Sequence, residues 1–247
     1  KAFSEKVCID EARIFEGEWG AAFGYQEAIH NGYFMGVKPT NKKVKIRYMD
    51  FWHTKNDKIV NNWVMVDFPD VLKQLGVDVF KGHGWEKYDS NTLLNYCSSE
   101  QDLIEDFIYK ITEEIWEDKK VENIRNYYAS DVIVRSPSIT TFNCEDVVQA
   151  TYNTLEQFPD RKLIGEDVIS CGSINNKYLS SHRILSTGTH LGDGFYGKAS
   201  GKKVIYRVIA DCLVVNNKII EEWIIRDEAS ILKQLGLNIN QFVESKI

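Results

Sequence analysis

The sequence predicts an α+β fold of two similar halves, each a curved antiparallel sheet with covering helices, and three observations carry that expectation. Lys58 to Val77, KIVNNWVMVDFPDVLKQLGV, is repeated by Lys218 to Leu237, KIIEEWIIRDEASILKQLGL. Lys58, Ile59, Trp63, Asp67, Leu72, Lys73, Gln74, Leu75 and Gly76 all recur 160 positions on (236 − 76), and chance does not hold one spacing over so many positions. Period-two stretches rich in β-branched and aromatic residues occur in both copies, while the strong helical pattern falls between them, over 102–119.

In chain order, strands are expected over 5–12, 17–29, 43–54 and 58–67. The same offset pairs Ile9 with Ile169, Ile14 with Ile174, His30 with His190, Gly32 with Gly192 and Arg47 with Arg207. It places the second set at 163–171, 177–189, 202–215 and 218–226, one antiparallel sheet per copy. Asn56-Asp57 and Asn216-Asn217 are turn chemistry between the last two strands of each copy. Asp67 and Asp227 stand where an N-cap would accept first-turn N–H groups, and Gly76 and Gly236 can end the short helix that follows. Residues 79–97 show no clear period and read as a linker. Asp102 to Lys119 then sets Leu103, Phe107, Ile108, Ile111 and Ile115 on one helical face, with Ser99 and Asp102 in a capping arrangement. A short helix at 121–128, a strand at 131–135 and a helix from Cys144 to Phe158, ended by Pro159, complete the order. Helices of the first copy would fall before residue 1, so 1–78 reads as a partial domain and 98–247 as a complete one.

A net charge of -6 and a pI of about 5.5 give no basic footprint, which argues against a nucleic-acid partner. Five cysteines, Cys8, Cys97, Cys144, Cys171 and Cys212, have no zinc-like spacing and cannot all pair. Free thiols in a reducing, cytoplasmic setting are the simpler expectation. No apolar run approaches the ~20 residues that span a bilayer, and Lys1 does not begin a signal peptide, so no membrane partner is expected.

GTHLG at Gly188 to Gly192, Phe195-Tyr196-Gly197, GKKV at Gly201 to Val204 and NKIIEEWIIRD with LKQLG up to Gly236 resemble the SnoaL-like polyketide cyclase family of the nuclear-transport-factor-2-like superfamily, as a tandem pair. The first copy keeps His30, Gly32, Gly36, Pro39-Thr40 and the whole closing motif. The resemblance implies cone-shaped domains, each with a pocket. It implies an intramolecular aldol ring closure of a polyketide ester through a pocket Asp and a neighbouring His, without metal or organic cofactor. The Asp position, just after Trp63 or Trp223, holds Val64 and Ile224 here, and the His position holds Asp50 and Ala210. Val64 and Ile224 cannot transfer a proton.

Remaining chemistry must come from the same sheet faces, which period two makes readable. In the first copy Tyr48, Asp50 and Trp52 project together beside Asn62, and Asp50 among aromatics is a candidate base. In the second, Tyr206, Ala210 and Cys212 face with Glu222, Ile224 and Arg226. There Glu222 is the candidate base, Arg226 a candidate for a carboxylate or enolate oxygen, and His190 a candidate helper. Each has an ordinary reading too: a strand Asp, a surface Glu–Arg pair, a turn-bracing His. Three functions stay open: a proton-transfer enzyme on a small carbonyl compound, a binder of a small apolar ligand, or a structural pseudo-dimer. Intramolecular pairing of the halves is expected through their outer sheet faces, with Trp63 and Trp223 in the contact, and a homodimer stays open as well.

Overall fold

The computed structural model describes residues 2–80 and 101–247. Most of the expected linker, with Cys97 and the capping residue Ser99, lies outside the described residues, while its first two residues, Val79 and Phe80, are buried. Strands β1 (Phe3–Glu16), β2 (Trp19–His30), β3 (Lys43–Lys55) and β4 (Lys58–Val66) form an antiparallel sheet in that order, followed by helix α1 (Phe68–Gln74). The second half contributes α2 (Gln101–Thr112), α3 (Ile124–Tyr127), β5 (Tyr128–Arg135), β6 (Thr140–Thr141) and α4 (Cys144–Gln157). Strands β7 (Lys162–Gly172), β8 (Lys177–Thr189), β9 (Lys203–Val215) and β10 (Lys218–Arg226) then precede α5 (Glu228–Gln234) and α6 (Ile239–Glu244).

The second sheet runs β6-β5-β10-β9-β8-β7, so β7 to β10 repeat the order of β1 to β4. It is not wholly antiparallel, because β5 runs parallel to β10. The whole β7–β9 meander separates these two strands in the chain, so no hairpin dictates their relative direction. The helix expected over 102–119 also changes character, continuing from α2 as a π-helical turn, Glu113–Glu117.

Local chemistry repeats as faithfully as topology. Asn56-Asp57 and Asn216-Asn217 take positive φ at both positions, 50° and 57° in each, as the hairpin turn matching strand twist requires. Asp67 accepts the Asp70 N–H at 3.1 Å and Asp227 the Ser230 N–H at 2.9 Å, so both expected caps form. Gly76 and Gly236 adopt φ of 99° and 84°, letting the N–H of Val77 reach the Leu72 carbonyl at 2.8 Å and that of Leu237 the Leu232 carbonyl at 2.9 Å.

The two sheets pack face to face. Phe23, Met49, Phe51 and Met65 of the first meet Ile209, Leu213, Trp223 and Ile225 of the second in one buried cluster. Phe23 lies 4.8 Å from Trp223, ring centre to ring centre, the Arg183 guanidinium sits 3.9 Å over Trp63, and the Ser170 N–H donates to Glu16 at 3.1 Å. A further cluster joins the halves at one end, from Val44 and Leu72 through Phe80 to Tyr196 and Leu232. On its other face the second sheet is covered by α2 and α4, whose Ile104, Ile108, Val147 and Val148 pack against Tyr178, Cys212 and Val214. The first sheet's other face leaves Val64 and Val66 55 % and 45 % exposed.

Candidate functional site

A cavity of ≈ 170 Å³ opens between the covered face of the second sheet and its helices. The pleat supplies its sheet wall: Cys212 pairs with Glu222, Ala210 with Ile224 and Val208 with Arg226, and all six side chains line the cavity. Ile108, Ile111, Ile115 and Trp116 close it from the helical side.

Glu222 is buried, with Oε2 accepting from the Tyr128 hydroxyl at 3.0 Å and Oε1 from the Cys212 thiol at 3.8 Å. Burial lifts its carboxyl to about 7, against which those two hydrogen bonds pull down. The group is therefore poised to hold or release a proton near neutrality. Arg226, four residues along the same face, donates to Glu228 at 2.8 Å and to the Ser138 hydroxyl at 3.0 Å, while Tyr196 holds the other Glu228 oxygen at 2.5 Å. Four strand residues span about 13 Å, so the proton-active and cationic groups occupy separate ends of the cavity.

Among the lining residues that sequence reasoning missed are Tyr128, Arg161 and His182. Tyr128 reaches Glu222 only because β5 runs beside β10. Arg161 lies in the turn after α4 and points back over Trp116. His182 was legible, since alternation from Tyr178 along β8 puts it on the cavity face, directly opposite Ala210. An imidazole thus stands one strand away from the position the family resemblance would give it. Burial depresses His182 to about 3, so the ring is neutral at physiological pH. Its Nε2 faces Gly165, where a Cβ would come within 2.8 Å of it.

Of the candidates read from sequence, Glu222, Cys212, Ile224 and Arg226 converge on this cavity. Tyr206 sits behind it, with the Arg161 guanidinium 6.0 Å from its ring. His190 is not on the lining: its Nδ1 bonds the Ser200 hydroxyl at 3.2 Å and its ring stacks on Phe158. His30 bonds Thr40 at 3.1 Å in the matching turn, and in both turns the His carbonyl accepts two N–H groups across the loop. This shared arrangement braces a turn. Asp50, Tyr48, Trp52 and Asn62 lie on the face of the first sheet turned away from the second half. Asp50 is half-buried and raised to about 6 by burial and then by Asp10, whose carboxylate holds the Tyr48 hydroxyl. Trp52 packs edge-on against Phe15, and Asn62 is exposed. Asp50 and Glu222 therefore share no site. Among the described residues no cluster of three or more His, Cys, Asp or Glu could hold a metal ion, and no helix is long and apolar enough to cross a membrane.

A family model described as SnoaL-like polyketide cyclase matches residues 1–75 and 107–235. Among solved structures, a candidate SnoaL-like polyketide cyclase from Jannaschia sp. CCS1 is 14% identical, with a TM-score of 0.50 over 57% of this chain and 96% of that one. IdmH, a candidate polyketide cyclase from Streptomyces antibioticus, is 21% identical, with a TM-score of 0.45 over 54% of this chain and 98% of its own. AclR, a candidate hydroxylase from Streptomyces galilaeus, is 19% identical, with a TM-score of 0.47 over 55% and 96%. No curated protein gave a match.

Proposed function

Because this chain belongs to the SnoaL-like polyketide cyclase family, we propose that the cavity of its second half binds a small, largely apolar carbonyl compound and that Glu222 moves a proton on it. In this reading the Glu222 carboxylate removes an acidic C–H proton next to a carbonyl, leaving an enolate. The enolate carbon closes onto a second carbonyl of the same molecule, and the Glu222 carboxylic acid returns the proton to the new alkoxide. His182, neutral and on the same wall, is the nearby imidazole able to hydrogen-bond a carbonyl oxygen.

The observation that carries the reading is a carboxyl with a near-neutral pKa fixed on the wall of a mostly apolar cavity. Domains at 1–78 and 98–247, joined through 79–97, are the organisation we propose, with the first serving as a fixed sheet partner for the second. Deuterium uptake at the acidic carbon of a β-keto ester, followed by NMR, tests the chemistry. Glu222→Gln should slow uptake by about 10²-fold or more, the range typical of a lost general base, while Asp50→Asn leaves it unchanged. Equal uptake in wild type and Glu222→Gln would remove Glu222 from the role.

A second reading, binding without turnover, is favoured by one observation: Ile224 and Ala210 fill the positions where the resemblance implies the acid and the imidazole. Tight binding of the β-keto ester with no uptake in the wild type would establish it.

A further inference from the structure

Arg161 is 5 % exposed, yet it has no ion-pair partner among the described residues. The other buried arginines each meet a carboxylate: Arg47 bonds Glu11, Arg135 bonds Glu221, and Arg183 bonds Glu166 and Asp167. Half-buried Arg226 is neutralised by Glu228. Arg161 has only the Ser186 hydroxyl, 3.3 Å from Nε, and the ring of Trp116, 4.5 Å from its guanidinium carbon. Its two terminal nitrogens donate to no described residue, and the side chain lines the cavity.

A guanidinium carries five N–H donors in a planar fork suited to a carboxylate. Leaving that charge buried and unpaired is costly, and an aromatic face offsets only part of the cost. Burial, the largest influence, lowers the pKa of Arg161; Tyr206 pulls it back up, Arg226 lowers it, and Tyr196 and Glu228 raise it without Glu228 coming into ion-pair contact. The Lys119 ammonium bonds the Arg161 carbonyl. The cavity therefore has an end at which Arg161 lacks a carboxylate partner among the described residues.

We propose that the cavity selects an anionic ligand, a small molecule with a carboxylate that pairs with Arg161 and an apolar body that carries its reactive carbonyls to Glu222. This rests on the reading of the cavity as a ligand site, though not on Glu222 performing chemistry. A carboxylate is the fitting anion, since a single fork binds it through two parallel hydrogen bonds, and a volume of ≈ 170 Å³ admits only a small body. Much of the remaining lining is apolar, with Ile108, Ile111, Ile115, Ile184 and Leu163 among it, and its other cation, Arg226, is already paired with Glu228.

The test compares calorimetric binding of 7,9-dioxodecanoate, which has a carboxylate at one end and a 1,3-dicarbonyl at the other, with its methyl ester. The wild type should prefer the acid by about 10- to 100-fold, the scale of a charge-assisted hydrogen-bonded pair. Arg161→Gln and the apolar Arg161→Met, each checked for native circular dichroism, should lose that preference, and Glu222→Gln should keep it. Ester bound as tightly as acid by the wild type would overturn the anionic selectivity and leave the cavity a ligand site. A preference surviving in a folded Arg161 variant would overturn the assignment to Arg161. Binding of neither compound by the wild type would overturn the reading of the cavity itself, and this inference with it.

Discussion

Glu222 and Asp211 sit on opposite faces of one sheet, and burial raises both to about 7 from 4.5 and 3.8, with the Ser181 hydroxyl opposing the shift at Asp211. A carboxyl whose folded pKa is raised contributes its full stability below the unfolded pKa and loses it as pH rises through the folded value. Below about 4 both states are protonated; from there to about 7 the unfolded chain ionises first, so each group makes stability fall by about 1.4 kcal/mol per pH unit. Urea unfolding of the wild type between pH 5 and 8 should show this decline, and Glu222→Gln and Asp211→Asn should each flatten it. Identical slopes in the variants would show that neither carboxyl is buried as described. Alternation along β9 and β10 made Glu222, Cys212, Ile224 and Arg226 legible from sequence, because period two assigns a face without any knowledge of partners. Tyr128 and Arg161 were not legible: one depends on a long-range parallel pairing and the other on a turn aiming a side chain back over Trp116, in the π-helical turn that follows α2. Recurrence at the 160-residue offset (His30 to His190) marks whatever both halves need, and the turn-bracing reading that the sequence offered beside the helper role is the one that the His30–Thr40 and His190–Ser200 bonds fit.

Short helices that close a strand live on their ends, and α1 and α5 are alike at both ends down to backbone angles of the caps, φ/ψ of −79°/78° and −73°/72°. Asp67→Ala and Asp227→Ala should each destabilise by about 0.5–2 kcal/mol in urea unfolding. The larger loss belongs to Asp67, which is fully buried and cannot exchange its lost partner for water. Equal stability of Asp67→Ala and wild type would contradict the cap. These elements were legible because strand period, turn pair, cap and terminal glycine all point to the same boundaries. The π-helical turn and the parallel β5 were not, since one is set by packing around Ile115 and the other by a strand finding a free sheet edge.

At the scale of the whole molecule, the first sheet depends on the second for burial. Its inner face holds Ala12, Ile14, Phe23, Met49 and Phe51, all under 2.5 % exposed, against a neighbour whose own other face is already closed by helices. Its opposite face keeps Val64 and Val66 open, so among the described residues the inter-sheet contact is its main apolar burial. Trp223 is the keystone of that contact, since its ring meets Phe23 on one side and the Arg135 guanidinium at 5.4 Å. Trp223→Ala should therefore cost about 3–5 kcal/mol, the range for emptying a large aromatic site. The loss should register in the first half as well as the second, because a sheet with one buried face has little stability of its own once that face is loosened. Hydrogen exchange resolves the point: amides of β2, in the other half of the chain, should lose protection alongside those of β9 and β10. Protection confined to its wild-type level in β2, with loss only around the substitution, would mean that the first sheet is held by the end cluster at Val44, Leu72 and Phe80 and that the two faces merely touch.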